Sequence, residues 1–76
     1  MATLEAVVHI GERLKQLRIE QAMTQEELAQ AAGIGKNTVN RLETNATQPR
    51  PPTLRKLARA LGVEPRELVR KSDGNA

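Results

Sequence analysis

With 76 residues, no cysteine and a single histidine, His9, this chain has neither a disulfide nor the donors for a zinc cluster. Phe, Tyr and Trp are absent, which removes base stacking as a route to single-stranded nucleic acid and leaves Leu, Ile, Val and Ala to build a small core. The formal charge of +3 and a pI near 10.0 permit an anionic partner without requiring one. No segment approaches a membrane span, and Met1 to Ile10 lacks the basic start and long apolar run of a signal peptide. An intracellular protein is expected, and so small a core makes dimerisation an attractive second source of buried area.

Strand-type alternation is confined to Val7-Val8-His9-Ile10. Ile10, Leu14 and Leu17 recur at i, i+4 and i+7, which predicts a first helix over residues 9 to 22. Upstream, Leu4, Val7 and Val8 are compatible with an added turn, an arm or a strand, so residues 1–8 are set apart as an arm or an extension of helix 1. The second helix carries a full start signal. Thr24 is the N-cap, Glu27 stands where it closes a capping box, and Met23 and Leu28 occupy the positions of a hydrophobic staple. It is expected to run to Ala32 and to end at Gly33 in the left-handed conformation. The third helix follows Gly35 and continues to about Thr44, with Val39 and Leu42 inward and Asn37, Asn40, Arg41 and Thr44 on the opposite face.

Asn45 to Pro51 reads as a loop. Pro52 suits the first position of a fourth helix, whose buried stripe is Leu54, Leu57, Ala58 and Leu61 and whose stop is Gly62. Glu64 and Pro65 open a short fifth helix with Leu68 inward, and residues 71–76 read as a flexible tail. The expected fold is all-α, five helices without an internal repeat, with the folded domain over residues 9–70.

The turn between the second and third helices is the feature hardest to attribute to general packing. Two helices joined by a short glycine-containing turn form a helix-turn-helix. Ala29 is small where the helices cross, Gly33 supplies a positive φ, and Leu28, Ala32, Ile34, Val39 and Leu42 clamp the pair. Each feature alone also fits an ordinary helical corner. Their combination at this spacing is specific.

These residues resemble the phage repressor/Cro-like (XRE-type) helix-turn-helix family. The matching positions are Ile10-Gly11, Leu14 to Arg18, Thr24-Gln25, Glu27-Leu28-Ala29, Gly33-Ile34, Leu42-Glu43, and Ala58 with Ala60 to Val63. The resemblance implies a lambda-repressor-like domain of five helices whose third helix enters the major groove of double-stranded DNA. It also implies a homodimer on a palindromic operator, with half-sites roughly 34–36 Å apart. A cytoplasmic, nucleoid-associated protein of prokaryotic or phage type follows from the same likeness. Helix 5 and the N-terminal segment are the candidate dimer surfaces.

Carried over position by position, Gln25 matches a phosphate-clamping glutamine, and Lys36, Asn37, Asn40 and Arg41 occupy the base-reading positions. Their chemistry agrees, since Arg or Lys donates to guanine O6/N7 and Asn pairs with adenine N6/N7. Thr44, Asn45, Thr47 and Arg50 lie where relatives follow the DNA backbone. Arg18 and Glu43 match a partly buried ion pair, read here as structural. Arg55, Lys56, Arg59, Arg66, Arg70 and Lys71 read as solvated charge, and His9 as a residue without chemistry.

Four departures stand out. Gly35 replaces the usual Ser or Thr cap of the third helix, at a cost of only a few tenths of a kcal/mol. Asn45 stands where relatives tend to have Gly, and Pro49, Pro51 and Pro52 stiffen the loop. Glu26 places a carboxylate near the DNA-facing helix start. The leading function is a dimeric transcriptional regulator, most simply a repressor. An antitoxin or restriction-modification controller, with a protein partner such as a toxin, shares the same mechanics. A protein-interaction module without DNA binding is disfavoured by the polar recognition face. An enzyme finds no nucleophile-elbow or phosphate-loop pattern. No cofactor or metal is expected.

Overall fold

Each of the expected apolar stripes faces one shared core. The computed structural model describes residues 10–69 and forms from them α1 (Gly11–Glu20), α2 (Gln25–Ala32), α3 (Lys36–Glu43), α4 (Pro51–Leu61) and α5 (Pro65–Val69), with no strand among the described residues. The expectations for the segment before Ile10 and for the tail lie outside the described residues. Every helix contributes at least one side chain with essentially no exposure: Leu14 from α1, Leu28 from α2, Val39 and Leu42 from α3, Leu57 from α4 and Leu68 from α5. Burial of each such side chain is worth about 1.5–3 kcal/mol. Met23, Ile34, Leu54, Ala60 and Val63 close the rim of this core.

The first helix is shorter than its periodicity implies. It stops at Glu20 because Ala22 adopts φ +57° and Met23 N–H turns back to Arg18 O at 3.1 Å. The same closure ends the next three helices. Ile34 N–H reaches Ala29 O at 2.9 Å, Ala46 N–H reaches Arg41 O at 2.8 Å and Val63 N–H reaches Ala58 O at 3.0 Å. In each case a left-handed residue precedes the donor, and Met23, Ile34 and Val63 pack against the core from there. Glycine announces two of these stops, at Gly33 and Gly62, whereas Ala22 and Asn45 are non-glycine residues in that conformation.

The fourth helix begins one residue earlier than expected. Arg50 is extended, so Pro51 is its first residue and Pro52 its second. Both prolines fit the first turn, where a missing N–H costs nothing and the fixed φ is already helical. Likewise α5 opens at Pro65 rather than Glu64.

Polar contacts join the helices around the core. Arg13 of α1 donates through Nε to Glu67 O at 3.2 Å, and its Nη2 lies 3.4 Å from Glu67 Oε1 on α5. Gln21 Nε2 donates to Leu61 O at 2.6 Å, satisfying one of the carbonyls left open at the end of α4.

Candidate nucleic-acid interface

The start of α2 is held by its own sequence. Thr24 Oγ1 accepts from Glu27 N–H at 3.0 Å, and Glu27 Oε1 accepts from Thr24 N–H at 2.8 Å, which completes the expected capping box. This reciprocal pair fixes the chain direction at Gln25, the first residue of the helix. Eight residues on, Gly33 sits at φ +72°, and the chain turns into α3 through Gly35. Leu28, Ala29 and Ala32 of α2 and Val39 and Leu42 of α3 are buried between the two helices and the rest of the core.

Burying Val39 and Leu42 turns the other side of α3 outward. Lys36, Asn37, Asn40 and Arg41 are all exposed, and Thr38 beside them is exposed too. Gly35 caps α3 without a side chain, so no side-chain oxygen competes for the first N–H groups of that helix. The result is a protruding ridge with two cationic and two amide side chains.

The positions expected to follow a DNA backbone are more varied. Thr44 is exposed, but its hydroxyl donates to Asn40 O at 3.0 Å, a bond it would have to exchange in order to donate elsewhere. Asn45 is exposed at φ +61°, and its Oδ1 accepts from Gly11 N–H at 3.1 Å, leaving Nδ2 as its donor group. Thr47 is half-buried, and Arg50 is exposed as the residue that caps α4. Gln25 is half-buried, and its Nε2 donates to Glu43 Oε1 at 3.0 Å.

Glu43 is the buried charge of the molecule's described part. Its carboxylate forms a forked pair with Arg18, Nε to Oε2 at 2.6 Å and Nη2 to Oε1 at 3.1 Å, while Arg18 Nη1 donates to Met23 O at 2.7 Å. The two side chains are 12% and 3% exposed, so the expected structural pair is present and almost dry. It ties α1, the turn before α2, and the end of α3 into one unit.

A second tie was not anticipated from the local pattern. Ile10 precedes α1 without a capping side chain, and Asn45, from the far end of α3, supplies the missing acceptor to Gly11 N–H. The approach is so close that a Cβ on Gly11 would lie 2.5 Å from Glu43 O and 2.7 Å from Leu42 O. A glycine at the start of α1, followed by an asparagine at a helix stop more than thirty residues later, is the available signal (|i−j| = 34). It identifies the two residues but not their partnership.

The remaining cations lie elsewhere. Arg55, Lys56 and Arg59 line a shallow groove with Ala31, Ala32 and Pro52, at the C-terminal end of α2. That end is about 10 Å along the helix from Gln25. Among the described residues no helix is long and apolar enough to cross a membrane.

With the corner, the exposed ridge and the buried fork in place, the likeness to known proteins is decisive. A helix-turn-helix family model (HTH_3) matches residues 14–68. The chain belongs to the XRE-type helix-turn-helix family. Its members are DNA-binding transcriptional regulators, phage repressors among them. The cryptic phage CTXphi transcriptional repressor RstR of Vibrio cholerae is 40% identical over 63 residues, covering 83% of this chain. The match spans 57% of that repressor's length. Among solved structures, the restriction-modification controller protein C.AhdI from Aeromonas hydrophila is 37% identical with a TM-score of 0.77, covering 82% of this chain and 94% of that one. SinR, a master regulator for biofilm formation crystallised in complex with DNA, is 35% identical with a TM-score of 0.77, covering 80% of this chain and 98% of that one. SinR has also been solved with the SinI protein, at 32% identity and a TM-score of 0.80, covering 88% of this chain and 66% of that one.

Proposed function

We propose that this chain is a sequence-specific, double-stranded DNA-binding regulator that acts as a homodimer and represses by occluding a promoter. The observation that carries the proposal is the ridge of Lys36, Asn37, Asn40 and Arg41, exposed on a helix whose opposite side is anchored in the core. In the major groove, Lys36 and Arg41 donate to guanine O6/N7 and Asn37 and Asn40 pair with adenine N6/N7, each good bidentate contact discriminating by about 1–3 kcal/mol. Gln25, Arg50, Asn45, Thr47 and Thr44 border the ridge and hold the phosphates on either side. Phosphate contacts set the register and base contacts set the choice. The complex of SinR with DNA supports a duplex as the partner of this chain.

The functional unit is the domain of residues 9–70, working in the cytoplasm on the nucleoid. A second reading, favoured by the likeness to C.AhdI, is a controller of a restriction-modification operon. It uses the same DNA contacts with a different neighbouring gene. A protein partner in the manner of the SinR–SinI complex is compatible with either reading.

Selection of bound duplexes from a random pool tests the proposal. The expected result is a palindrome whose half-sites are centred about 10–10.5 base pairs apart or a multiple of that. Recovery of sequences with no shared motif, or of a motif without two-fold symmetry, overturns sequence-specific binding as a dimer.

A further inference from the structure

Gln25 is the one backbone-facing residue whose side chain is already held by a charged group. Its Nε2 lies 3.0 Å from Glu43 Oε1, and the same oxygen accepts from Arg18 Nη2 at 3.1 Å. An ionised carboxylate only accepts hydrogen bonds. The Gln25 amide therefore presents its NH2 end to Glu43, since its carbonyl there would set two acceptors against one another. An amide nitrogen carries two hydrogens about 120° apart in one plane. With one committed to Glu43, the other has its direction set.

We infer that Glu43 is a positioning residue for the DNA-phosphate contact of Gln25, and that the Arg18–Glu43 pair is more than a structural staple. The inference rests on the proposed DNA-binding function and deepens it. A freely turning glutamine amide would present a carbonyl oxygen to a phosphate as readily as an N–H, and the carbonyl face is repulsive. Glu43 removes that alternative before DNA arrives. Arg18 has a part in this too. It balances the charge of Glu43, so that a carboxylate can stand within hydrogen-bond reach of a phosphate-binding group. The fork from α1 holds the carboxylate in place through 2.6 and 3.1 Å contacts, and the carboxylate holds the amide. Preorganised donors of this kind spare the side-chain ordering that binding otherwise costs. Because the last residue of α3 orients the first residue of α2, the base-reading helix and the phosphate contact are set in a common geometry.

The test is a double-mutant cycle read by affinity for a random-sequence duplex pool at low salt, a probe that reports phosphate contacts independently of any operator. Gln25→Ala is expected to weaken binding about tenfold, the worth of one hydrogen bond to a charged group. Glu43→Met keeps the length of the side chain while removing both acceptor oxygens, which releases the amide, and is expected to weaken binding about threefold or more in the wild-type background. In the Gln25→Ala background it is expected to cost less than about twofold, since no amide remains to orient. The change in charge is common to both backgrounds and cancels from the cycle. A purely structural Glu43 gives equal losses in the two backgrounds, which overturns the inference.

If Glu43→Met fails to fold, the wild-type chain still decides the matter by NMR without DNA. One Gln25 Nε2 proton is expected to exchange with water markedly more slowly than its geminal partner. Equal, fast exchange of both protons overturns the inference. Failure of the wild-type chain to bind the duplex pool at all is a separate outcome, and it overturns the DNA-binding proposal on which the positioning role depends.

Discussion

Gly11→Ala is the substitution whose cost can be worked most fully from the structure. Alanine is ordinarily the better helix residue, by about 0.5–1 kcal/mol, so propensity alone predicts a more stable protein. The packing predicts the reverse. The new methyl would lie 2.5 Å from Glu43 O and 2.7 Å from both Leu42 O and Asn45 Oδ1, well inside the 3.4 Å at which such contacts become ordinary. Two of the three oxygens are backbone carbonyls at the end of α3, so no rotamer change relieves them. The start of α1 must withdraw, which costs about 1–3 kcal/mol as overpacking. Withdrawal also lengthens the 3.1 Å bond from Gly11 N–H to Asn45 Oδ1, a further loss of about 1 kcal/mol. After the propensity gain is set against these, a net destabilisation of about 2 kcal/mol remains. At roughly 4–8 °C per kcal/mol for a domain of this size, the midpoint should fall by about 8–16 °C. Urea titration and thermal melting followed by circular dichroism measure both quantities. A variant as stable as the wild type, or more stable, refutes the close approach of α1 to the end of α3.

Further substitutions probe neighbouring features. Ala22→Gly relieves the left-handed alanine at φ +57°, and against the extra freedom of glycine in the unfolded chain it should stabilise by about 0.5–1 kcal/mol in the same titration. Arg18→Met leaves the Glu43 carboxylate buried without its partner and should cost about 3–5 kcal/mol. Adding Glu43→Met to it should recover much of that loss, and a double variant no more stable than the single one would contradict a paired, desolvated charge. Asn45→Ala removes both the acceptor for Gly11 N–H and a residue tolerant of φ +61°, at a cost of about 2 kcal/mol, whereas Asn45→Gly, which keeps the backbone at ease, should cost less than half as much.

The parts of the fold legible in the sequence are those written over three or four consecutive residues. The capping box of Thr24 and Glu27, the stop at Gly33, and the inward spacing of Leu14 and Leu17 are local, and the structure repeats them. The end of α1 was not legible, because Ala22 carries none of the signs of a left-handed residue and is forced there by the turn toward Thr24. Pro51 and Pro52 both suit a helix start, so composition alone does not choose between them.

The candidate site divides the same way. Exposure of Lys36, Asn37, Asn40 and Arg41 follows from burying Val39 and Leu42, since a helix has two sides. The bonds from Asn45 to Gly11 and from Gln25 to Glu43 join residues 34 and 18 positions apart. No periodicity encodes such pairs. They arise only once the helices are packed.

Titration of isotope-labelled protein with its selected operator duplex, followed by NMR, tests the central claim most directly. The largest shifts are expected at Gln25 and along Lys36, Asn37, Asn40 and Arg41, with the groove of Arg55, Lys56 and Arg59 little affected. Shifts concentrated on that second basic face, with the α3 ridge unmoved, would contradict the account.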